Sequence, residues 1–448
     1  MPQPAPKGRK KLILVVSDKM GRNKKPERNE HGLVRMAATT RKNMGFDKTV
    51  SVSSSQKSMV LDIFQAFTAD VKAAKDTGEY TTEECQRIGF VTKDTYDSII
   101  GGKHIKNVWI SDTLEDPIVM GADPEFLLFR PGNDQIVHAN GVMLKNGPIG
   151  CDGAMAEVRP DPATTPAGLV DNIRKIFANN TLTKSISDLM WMAACYYKNQ
   201  NRDYPVGGHI HIGNPSKIMG MPAGRRDLFF AMLNKAMDEL LSIPMVRLDG
   251  NESGSCRRTK CGMVLGGGQG YGYFGEWRKC DGRLEHRTLS GMWLMHPSIA
   301  KAVFGTARAI IGEAHRHIDS NNYNSDYICP GGDFADFGDS RSNGGKQRKA
   351  WQNGFDGWKS IPLLQEMGCV RSSNEMNRLL NTCAATSINT TYLKKWFSTL
   401  RNFSTFKDNE ECIRALMEIL SVPVKEIQAF DKQLQNNWLE KNKFIVDF

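Results

Sequence analysis

The stretch Val206-Gly-Gly-His-Ile-His-Ile-Gly213 constrains the fold of this chain more than any other. Side chains alternate between the two faces of a β-strand, so His209 and His211 share one face and the two isoleucines share the other. Such a strand can pack its apolar face on a core and present its imidazole face to a ligand. The glycines that flank it either leave room for a bulky group near the backbone or mark turns. Taken alone, paired histidines are more often structural than ligands or proton carriers. Their interpretation therefore depends on the rest of the chain.

Size and composition narrow the class of protein. The chain has 448 residues, enough for one large domain with additions or for two domains. No apolar run approaches the about 18 residues of a membrane span, and the basic N-terminus lacks the features of a secretory signal. The ten cysteines form no Cys-x-x-Cys pair, which indicates free thiols in a reducing compartment. We therefore expect a cytoplasmic protein that is neither secreted nor bound to a membrane.

The net charge of +10 is partly local, because basic residues crowd the segment from Lys7 to Arg28. A nucleic acid, an acidic partner or a phosphate-bearing substrate would each fit such a charge. Few aromatic residues interleave with the basic ones, so the segment does not favour a stacking platform for single strands.

Four strand-like segments carry polar side chains with period two. Each also has an ordinary interpretation: Pro124 favours a solvated edge for the first, and an ion pair across the sheet would explain the second. If all four lie in one sheet, however, one face carries carboxylates, imidazoles and arginines. That set suits Mg²⁺ or Mn²⁺ together with a nucleoside triphosphate. The polar sets are Asp123/Glu125, Glu157/Arg159, His209/His211 and Arg283/Glu285/Arg287.

The remaining patterns are mainly helical. Gly270, Gly272 and Gly275 match G-x-G-x-x-G, but strand-like residues follow them, so we reject a dinucleotide-binding loop. Lys279-Cys-Asp-Gly282 predicts a hairpin turn. Cys329–Gly357 is Gly-, Asp-, Ser- and Lys-rich and predicts a long loop, either a lid or a disordered segment. His315 and His317 are expected to face solvent. Helices are predicted from Pro166, over Leu182–Tyr197, Gly224–Leu241 and Pro297–His317, and at least three times between Glu375 and Lys443.

Several motifs resemble those of one enzyme superfamily, the glutamine synthetase-like carboxylate–amine ligases. The closest resemblance is to its tailed-phage COOH.NH2 ligase type 2 (amidoligase) branch, over about residues 118–310. The motifs are Gly121-Ala-Asp-Pro-Glu-Phe126, Asp152–Pro160 with the helix that follows it, Gly207–Gly213, and Glu285-His-Arg-Thr-Leu-Ser290 with Trp293.

The resemblance implies an α+β fold, in which a curved, mainly antiparallel sheet forms the active-site face and helices back it. Strands with one apolar and one polar face agree with that independently. The expected regions are a basic N-terminal accessory region (1–115), the ligase core (116–320), a Gly-rich loop or lid (321–360) and a helical C-terminal region (361–448).

The resemblance also implies roles for individual residues. Asp123, His209 and Glu285 would hold one metal ion, although the wider superfamily usually has Glu at the position of Asp123. Glu125, Glu157 and Asp152 would hold a second metal ion. Arg278 and Arg287 would be catalytic and contact the phosphates of ATP or of the acyl phosphate, and His211 and Arg159 would also contact the nucleotide.

The implied reaction is ATP- and Mg²⁺-dependent (or Mn²⁺-dependent) formation of an amide or isopeptide bond through an acyl phosphate. The carboxylate and the amine could each be a small molecule, a peptide or a protein, and relatives that form rings make a homo-oligomer an option. A phage-encoded enzyme would act in the host cytoplasm. Two alternatives stay open: a guanidino phosphotransferase of related fold, and a virion-associated or nucleic-acid-binding protein on a degenerate ligase scaffold.

Overall fold

The computed structural model divides the chain into two units, Met1–Pro117 and Ile118–Phe448. It describes residues 118–132, 135–200, 202–259, 271–280, 283–328, 357–381 and 387–440, together with five short strands before residue 118. The predicted loop at 329–356 and most of the basic N-terminal segment lie outside the described residues.

The first unit contains a small parallel sheet. Its middle strand, Leu14–Val16, pairs with Val50–Val52 on one side and with Gly89–Phe90 on the other. Strands β2 and β3 form a separate antiparallel pair. The strands are β1 (Leu14–Val16), β2 (Glu27–Arg28), β3 (Val34–Arg35), β4 (Val50–Val52) and β5 (Gly89–Phe90).

The second unit is built on an eight-stranded sheet in the order β14-β15-β13-β6-β9-β8, with β7 and β10 also paired to β6. Every pairing in this sheet is antiparallel, so the predicted α+β class with a mainly antiparallel sheet is confirmed. The strands are β6 (Val119–Phe129), β7 (Ile136–Val137), β8 (Ile149–Asp152), β9 (Met155–Val158), β10 (Met190–Met192), β13 (Gly208–Gly213), β14 (Trp277–Cys280) and β15 (Arg283–His286); β11 (Tyr196–Lys198) and β12 (Asp203–Pro205) form a separate ribbon.

Helices make up most of the rest of this unit and confirm the helices predicted from Pro166, Gly224 and Pro297. Within the described residues, no helix combines the length and apolarity needed to cross a membrane. The helices are α1 (Pro166–Phe177), α2 (Asn180–Thr183), α3 (Ser216–Met219), α4 (Ala223–Met237), α5 (Ile243–Asp249), α6 (Asn251–Thr259), α7 (Pro297–Ser320), α8 (Ser325–Ile328), α9 (Pro362–Glu366), α10 (Ser373–Asn381), α11 (Thr390–Arg401), α12 (Phe406–Ser421), α13 (Val424–Ala429) and α14 (Leu434–Trp438), with a π-helical turn at Asp238–Ser242.

The apolar face of the sheet is covered by helices. Ile210 and Ile212 of β13 and Leu284 of β15 are buried in one continuous core with Phe230 of α4 and Ile310 of α7. Burial of each such side chain stabilises the fold by roughly 1.5–3 kcal/mol. A register shift of one residue would move these side chains to the opposite face, so their burial determines which face of each strand meets the core. The opposite, polar face is therefore the one left to form a site.

The structure corrects the expectation that Pro124 marks an edge or an interrupted strand. Strand β6 is central, and Pro124 lies opposite Gly208 in the ladder with β13. Glu125 donates its N–H to Gly207 at 2.8 Å, so the nitrogen of Pro124 points to the other flank of the strand. The ladder with β9 begins only at Glu125 on that flank, and no donor is needed there.

The prediction of a helix over Leu182–Tyr197 is also wrong. Only Asn180–Thr183 is α-helical, and Met190–Met192 pairs with Leu127–Phe129 as a strand. The indole of Trp191 donates to the Ile186 carbonyl at 2.9 Å. Strand pairing with the long central strand outweighs the local helical pattern here.

His317 is buried, contrary to the prediction that it faces solvent. Its ring nitrogens lie 3.1 Å from Glu313 and 2.6 Å from Glu366. The helix α7 is covered on more than one side, so a residue outside its main apolar stripe still meets protein.

Candidate active site

Strand register brings the predicted polar residues onto one face. The directly opposed pairs are His209 with Asp123, His211 with Glu285, and Arg278 with Glu285. Because opposed residues in an antiparallel ladder project to the same side, β14, β15, β13 and β6 present one continuous polar surface. Glu125 and Glu157 extend it onto β9.

Asp123, His209 and Glu285 form the centre of this surface. Nδ1 of His209 lies 3.1 Å from Oδ1 of Asp123 and 3.7 Å from Oε1 of Glu285. One ligand atom from each residue can be chosen so that all lie within 4.8 Å of one another. Two carboxylates and an imidazole at this spacing match the donors that Mg²⁺ and Mn²⁺ accept.

Both carboxylates of this group remain ionised. Burial alone would raise the pKa of Asp123, but the charges of His209 and His211 and the hydrogen bond with His209 outweigh it and hold the pKa well below its usual range. Burial opposes ionisation of Glu285 as well, yet the charges of Arg287 and His209 lower its pKa to about 2. The group is therefore anionic at neutral pH, as a cation site must be.

His211 is buried beside this group, and its ring has no aligned hydrogen bond within the described part of the chain. Its Nε2 lies 3.0 Å from Oδ2 of Asp123, but neither ring nitrogen has a partner of acceptable geometry. Buried polar atoms without partners are rare and often face an absent ion or ligand. A Cβ at Gly121, opposite His211 in the ladder, would lie 3.4 Å from the Cβ of His211.

The structure does not gather the predicted second metal site. Glu125 accepts hydrogen bonds from the Gly207 N–H and from the hydroxyl of Tyr271, and Glu157 is paired with Arg159. Asp152 is exposed. Among the described residues, Asp123, His209 and Glu285 are the one group of three with ligand spacing. A second metal site remains a prediction.

The two predicted catalytic arginines differ in their surroundings. Arg287 is buried, donates from Nε to Glu276 at 3.0 Å, and forms an ion pair with Glu285. Burial alone would lower the pKa of Arg287, but Tyr271, Glu276 and Glu285 raise it well above its usual value. Arg278 lies 3.7 Å from Glu285 with 27% of its side chain exposed, so it faces the open side of the group.

Arg159 lies apart from the other arginines. It directly follows β9, pairs with Glu157 of that strand and donates to the Gly147 carbonyl at 3.4 Å. The structure thus places it at the margin of the polar face, where its predicted contact with the nucleotide remains a prediction.

Three residues at the site were missed by the sequence interpretation. The hydroxyl of Tyr271 lies 2.6 Å from Nε2 of His209, Glu276 pairs with Arg287, and the thiol of Cys280 donates to Oε2 of Glu285 at 3.1 Å. Period-two alternation from Arg278 could have identified Cys280. Tyr271 and Glu276 lie in irregular backbone next to the glycine-rich run, where no periodicity points to a face.

A second polar layer supports strand β15 from behind. Arg257 donates to the carbonyls of Arg287, Thr288 and Leu289. His286, on the face opposite Glu285, bonds Ser242 at 2.8 Å and Asn234 at 2.7 Å. Burial lowers the pKa of His286 to about 3, so its imidazole is neutral and serves as a fixed support.

The space that a side chain would need at Gly207 and Gly208 is occupied by other atoms of this chain. A Cβ at Gly208 would lie 2.1 Å from the Ser290 carbonyl oxygen, and a Cβ at Gly207 would lie 2.5 Å from Nε2 of His209. Other groups therefore approach the backbone closely at both glycines. The groups are a backbone carbonyl and an imidazole of this chain.

Comparison with known proteins agrees with this geometry. Residues 120–329 match the model of the family described as phage phiEco32-like COOH.NH2 ligase-type 2. Among curated proteins, no match is found. The matched segment contains every residue of the polar face, and the family description supports the joining of a carboxylate to an amine. Residues 120–329 of this chain are therefore similar to the phage phiEco32-like COOH.NH2 ligase-type 2 family.

Proposed function

We propose that this protein is an ATP-dependent carboxylate–amine ligase that uses Mg²⁺ or Mn²⁺ and forms an amide or isopeptide bond through an acyl phosphate. The observation that carries the proposal is the convergence of Asp123, His209 and Glu285 beside Arg287 on one sheet face of a COOH.NH2 ligase segment.

The donor set fits a divalent cation, and Asp123, His209 and Glu285 would hold it. When bound, such an ion offsets the repulsion between an anionic carboxylate nucleophile and the anionic γ-phosphate. The buried ring of His211 is the second sign of fit, because its nitrogens make no aligned hydrogen bond within the described residues and a phosphate oxygen would offer an acceptor.

In the first step, a carboxylate oxygen of the substrate attacks the γ-phosphorus of ATP. The new oxygen–phosphorus bond gives an acyl phosphate, and the bond to the bridging oxygen breaks as ADP leaves. Arg278 would contact the transferred phosphoryl group from the open side, and His211 from the floor of the site. Arg287 is held rigidly by Glu276 and Glu285, and would contribute a fixed positive charge.

In the second step, the amine nitrogen attacks the acyl carbon and phosphate leaves with the electron pair of the carbon–oxygen bond. The amine loses a proton, and the products are an amide, ADP and free phosphate. We propose that the enzyme is phage-encoded and acts in the host cytoplasm on a carboxylate and an amine that are small molecules, peptides or proteins.

The test measures ADP, free phosphate and hydroxamate when the protein is incubated with MgATP, candidate carboxylates and hydroxylamine. Hydroxylamine traps an acyl phosphate as a hydroxamate, so we expect all three products in equal amounts. Glu285→Gln and His209→Asn should abolish them, while Asp171→Asn, an exposed residue of α1, should not.

Other outcomes would overturn the proposal. ADP without free phosphate, together with a phosphorylated guanidine, would identify a guanidino phosphotransferase. Salt-dependent binding of nucleic acid that is lost on deletion of residues 1–28, in a protein that does not turn over ATP, would favour a binding protein on a degenerate scaffold.

A further inference from the structure

We infer that Tyr271 is a positioning residue for the metal ligand His209: its hydroxyl fixes the imidazole so that Nδ1 is presented to the metal. The inference deepens the proposed function and rests on the metal site in it. Neither the motifs nor the family description assigns a role to Tyr271.

The contacts of His209 divide between its two ring nitrogens. Nδ1 faces Asp123 and Glu285, the two carboxylates of the candidate metal group. Nε2 faces away from them and lies 2.6 Å from the hydroxyl of Tyr271. Nδ1 is therefore the atom that would bind the metal, and a neutral imidazole with a free Nδ1 lone pair carries its proton on Nε2.

The hydroxyl of Tyr271 suits that tautomer because its own proton has a separate acceptor. It donates to Oε1 of Glu125 at 3.3 Å, which leaves the oxygen to accept from Nε2–H of His209. Nε2–H of His209 then donates to the Tyr271 oxygen, and the Tyr271 hydroxyl donates to Glu125.

The tyrosine ring is itself held in place. The guanidinium carbons of Arg257 and Arg287 each lie 5.0 Å from the centre of the ring, and the Tyr271 N–H donates to the Arg257 carbonyl at 2.8 Å. The ring meets the imidazole of His209 edge to face. A ring clamped in this way orients its hydroxyl with little freedom.

Gly207 gives an independent geometric argument. A Cβ at this position would lie 2.5 Å from Nε2 of His209 and 2.8 Å from the Tyr271 hydroxyl, so the contact requires glycine there. The N–H of Gly207 also donates to Oε2 of Glu125, which fixes the carboxylate that accepts from Tyr271. The backbone is thus shaped around this contact.

The test compares Tyr271→Phe with Tyr204→Phe. The hydroxyl of Tyr204 lies 2.8 Å from Nε2 of His138, so the control removes a similar hydroxyl–imidazole contact away from the polar face. Mn²⁺ affinity is measured by electron paramagnetic resonance of the free ion without nucleotide. We expect Tyr271→Phe to weaken the affinity about tenfold or more, the range for lost support of a metal ligand, and Tyr204→Phe to leave it unchanged.

A second measurement does not depend on the tyrosine variants. Long-range ¹H–¹⁵N NMR of the Mg²⁺-loaded wild type, with His209→Asn for assignment, should show His209 protonated on Nε2. Protonation on Nδ1, or unchanged Mn²⁺ affinity in a folded Tyr271→Phe protein, would overturn the inference. Failure of the proposed function is distinct, because the wild type would then bind no Mn²⁺ and Asp123→Asn would change nothing.

Discussion

His209 and Asp123 are opposed residues on adjacent antiparallel strands, and their side chains meet with Nδ1 3.1 Å from Oδ1. Asp123→Asn keeps the shape of this side chain but removes its charge. We expect the fold to persist and Mn²⁺ affinity to fall by at least about tenfold, because one of only two carboxylates in the group is lost. Titration with Mn²⁺ measures the effect.

Asp171→Asn is the matched control for this substitution, because Asp171 is exposed and pairs only along its own helix with Arg174. Its Mn²⁺ affinity should equal that of the wild type. An Asp123→Asn protein with undiminished affinity would show that the ion binds elsewhere.

Arg287 is the second residue whose replacement has a defined outcome. Arg287→Met leaves the buried carboxylates of Glu276 and Glu285 without their shared partner. Removing one partner of a buried ion pair costs about 3–5 kcal/mol. Chemical denaturation should show a loss of that order in the free energy of unfolding.

The exposed ion pair between Arg174 and Asp171 is the control for this loss in the free energy of unfolding. Both side chains are about half exposed, so Arg174→Met should cost no more than about 1 kcal/mol. Similar losses in the two variants would mean that Arg287 contributes no more than a solvated ion pair.

Asp238, in the π-helical turn behind β15, predicts a pH dependence of stability. Burial raises the pKa of its carboxyl to about 7. Hydrogen bonds from Thr288 and the Gly275 N–H, and the charges of Lys235 and Arg258, lower the pKa but do not outweigh burial. Nε2 of His286 lies 3.8 Å from its Oδ1. From pH about 4 to about 7 the native carboxyl keeps a proton that the unfolded chain has lost, so its contribution to stability is present at low pH and falls as pH rises through that window.

Asp238→Asn mimics the protonated group at every pH. The variant should therefore gain stability relative to the wild type as pH rises from 5 to 8, by an amount on the order of a few kcal/mol. Urea unfolding of both proteins at the two pH values measures it. A stability difference that is the same at both values would contradict the raised pKa.

The polar face was predictable because side-chain alternation is a local property of each strand. His209, His211, Glu285 and Arg287 were assigned to faces from single segments, and the structure places them as expected. Which strands are neighbours depends on non-local pairing, which explains why Pro124 was misjudged. Proline lacks the backbone N–H, and this matters only if a neighbouring strand needs that donor. The nitrogen of Pro124 faces the flank on which the ladder with β9 begins only at Glu125.

Residues outside regular strands were not predictable in this way. Tyr271 reaches His209 from the irregular residues 271–276 just before β14, where no sequence pattern shows the direction of the side chains. The apolar residues of Met190–Met192 are compatible with a helix or with a strand. This segment forms a strand because it pairs with Leu127–Phe129. Such positions are settled by tertiary contacts.

The glycine before His209 provides a last prediction, on packing. A Cβ at Gly208 would lie 2.1 Å from the Ser290 carbonyl oxygen and 2.3 Å from the indole nitrogen of Trp293, which donates to the Gly208 carbonyl. Backbone cannot yield as a flexible side chain can, so Gly208→Ala must separate β13 from Ser290. We expect a loss of about 2 kcal/mol or more in the free energy of unfolding.

Gly224, near the start of α4, is the matched control, because a Cβ there meets nothing within 4 Å. Alanine restricts the unfolded chain and favours the helix, so Gly224→Ala should leave stability unchanged or raise it by up to about 1 kcal/mol. The two substitutions add the same methyl group, but only Gly208→Ala should lower stability. If thermal unfolding of both proteins shifted equally, the close approach of Ser290 to Gly208 would have no energetic consequence, and β13 would be free to move relative to the 3₁₀ turn that follows Ser290.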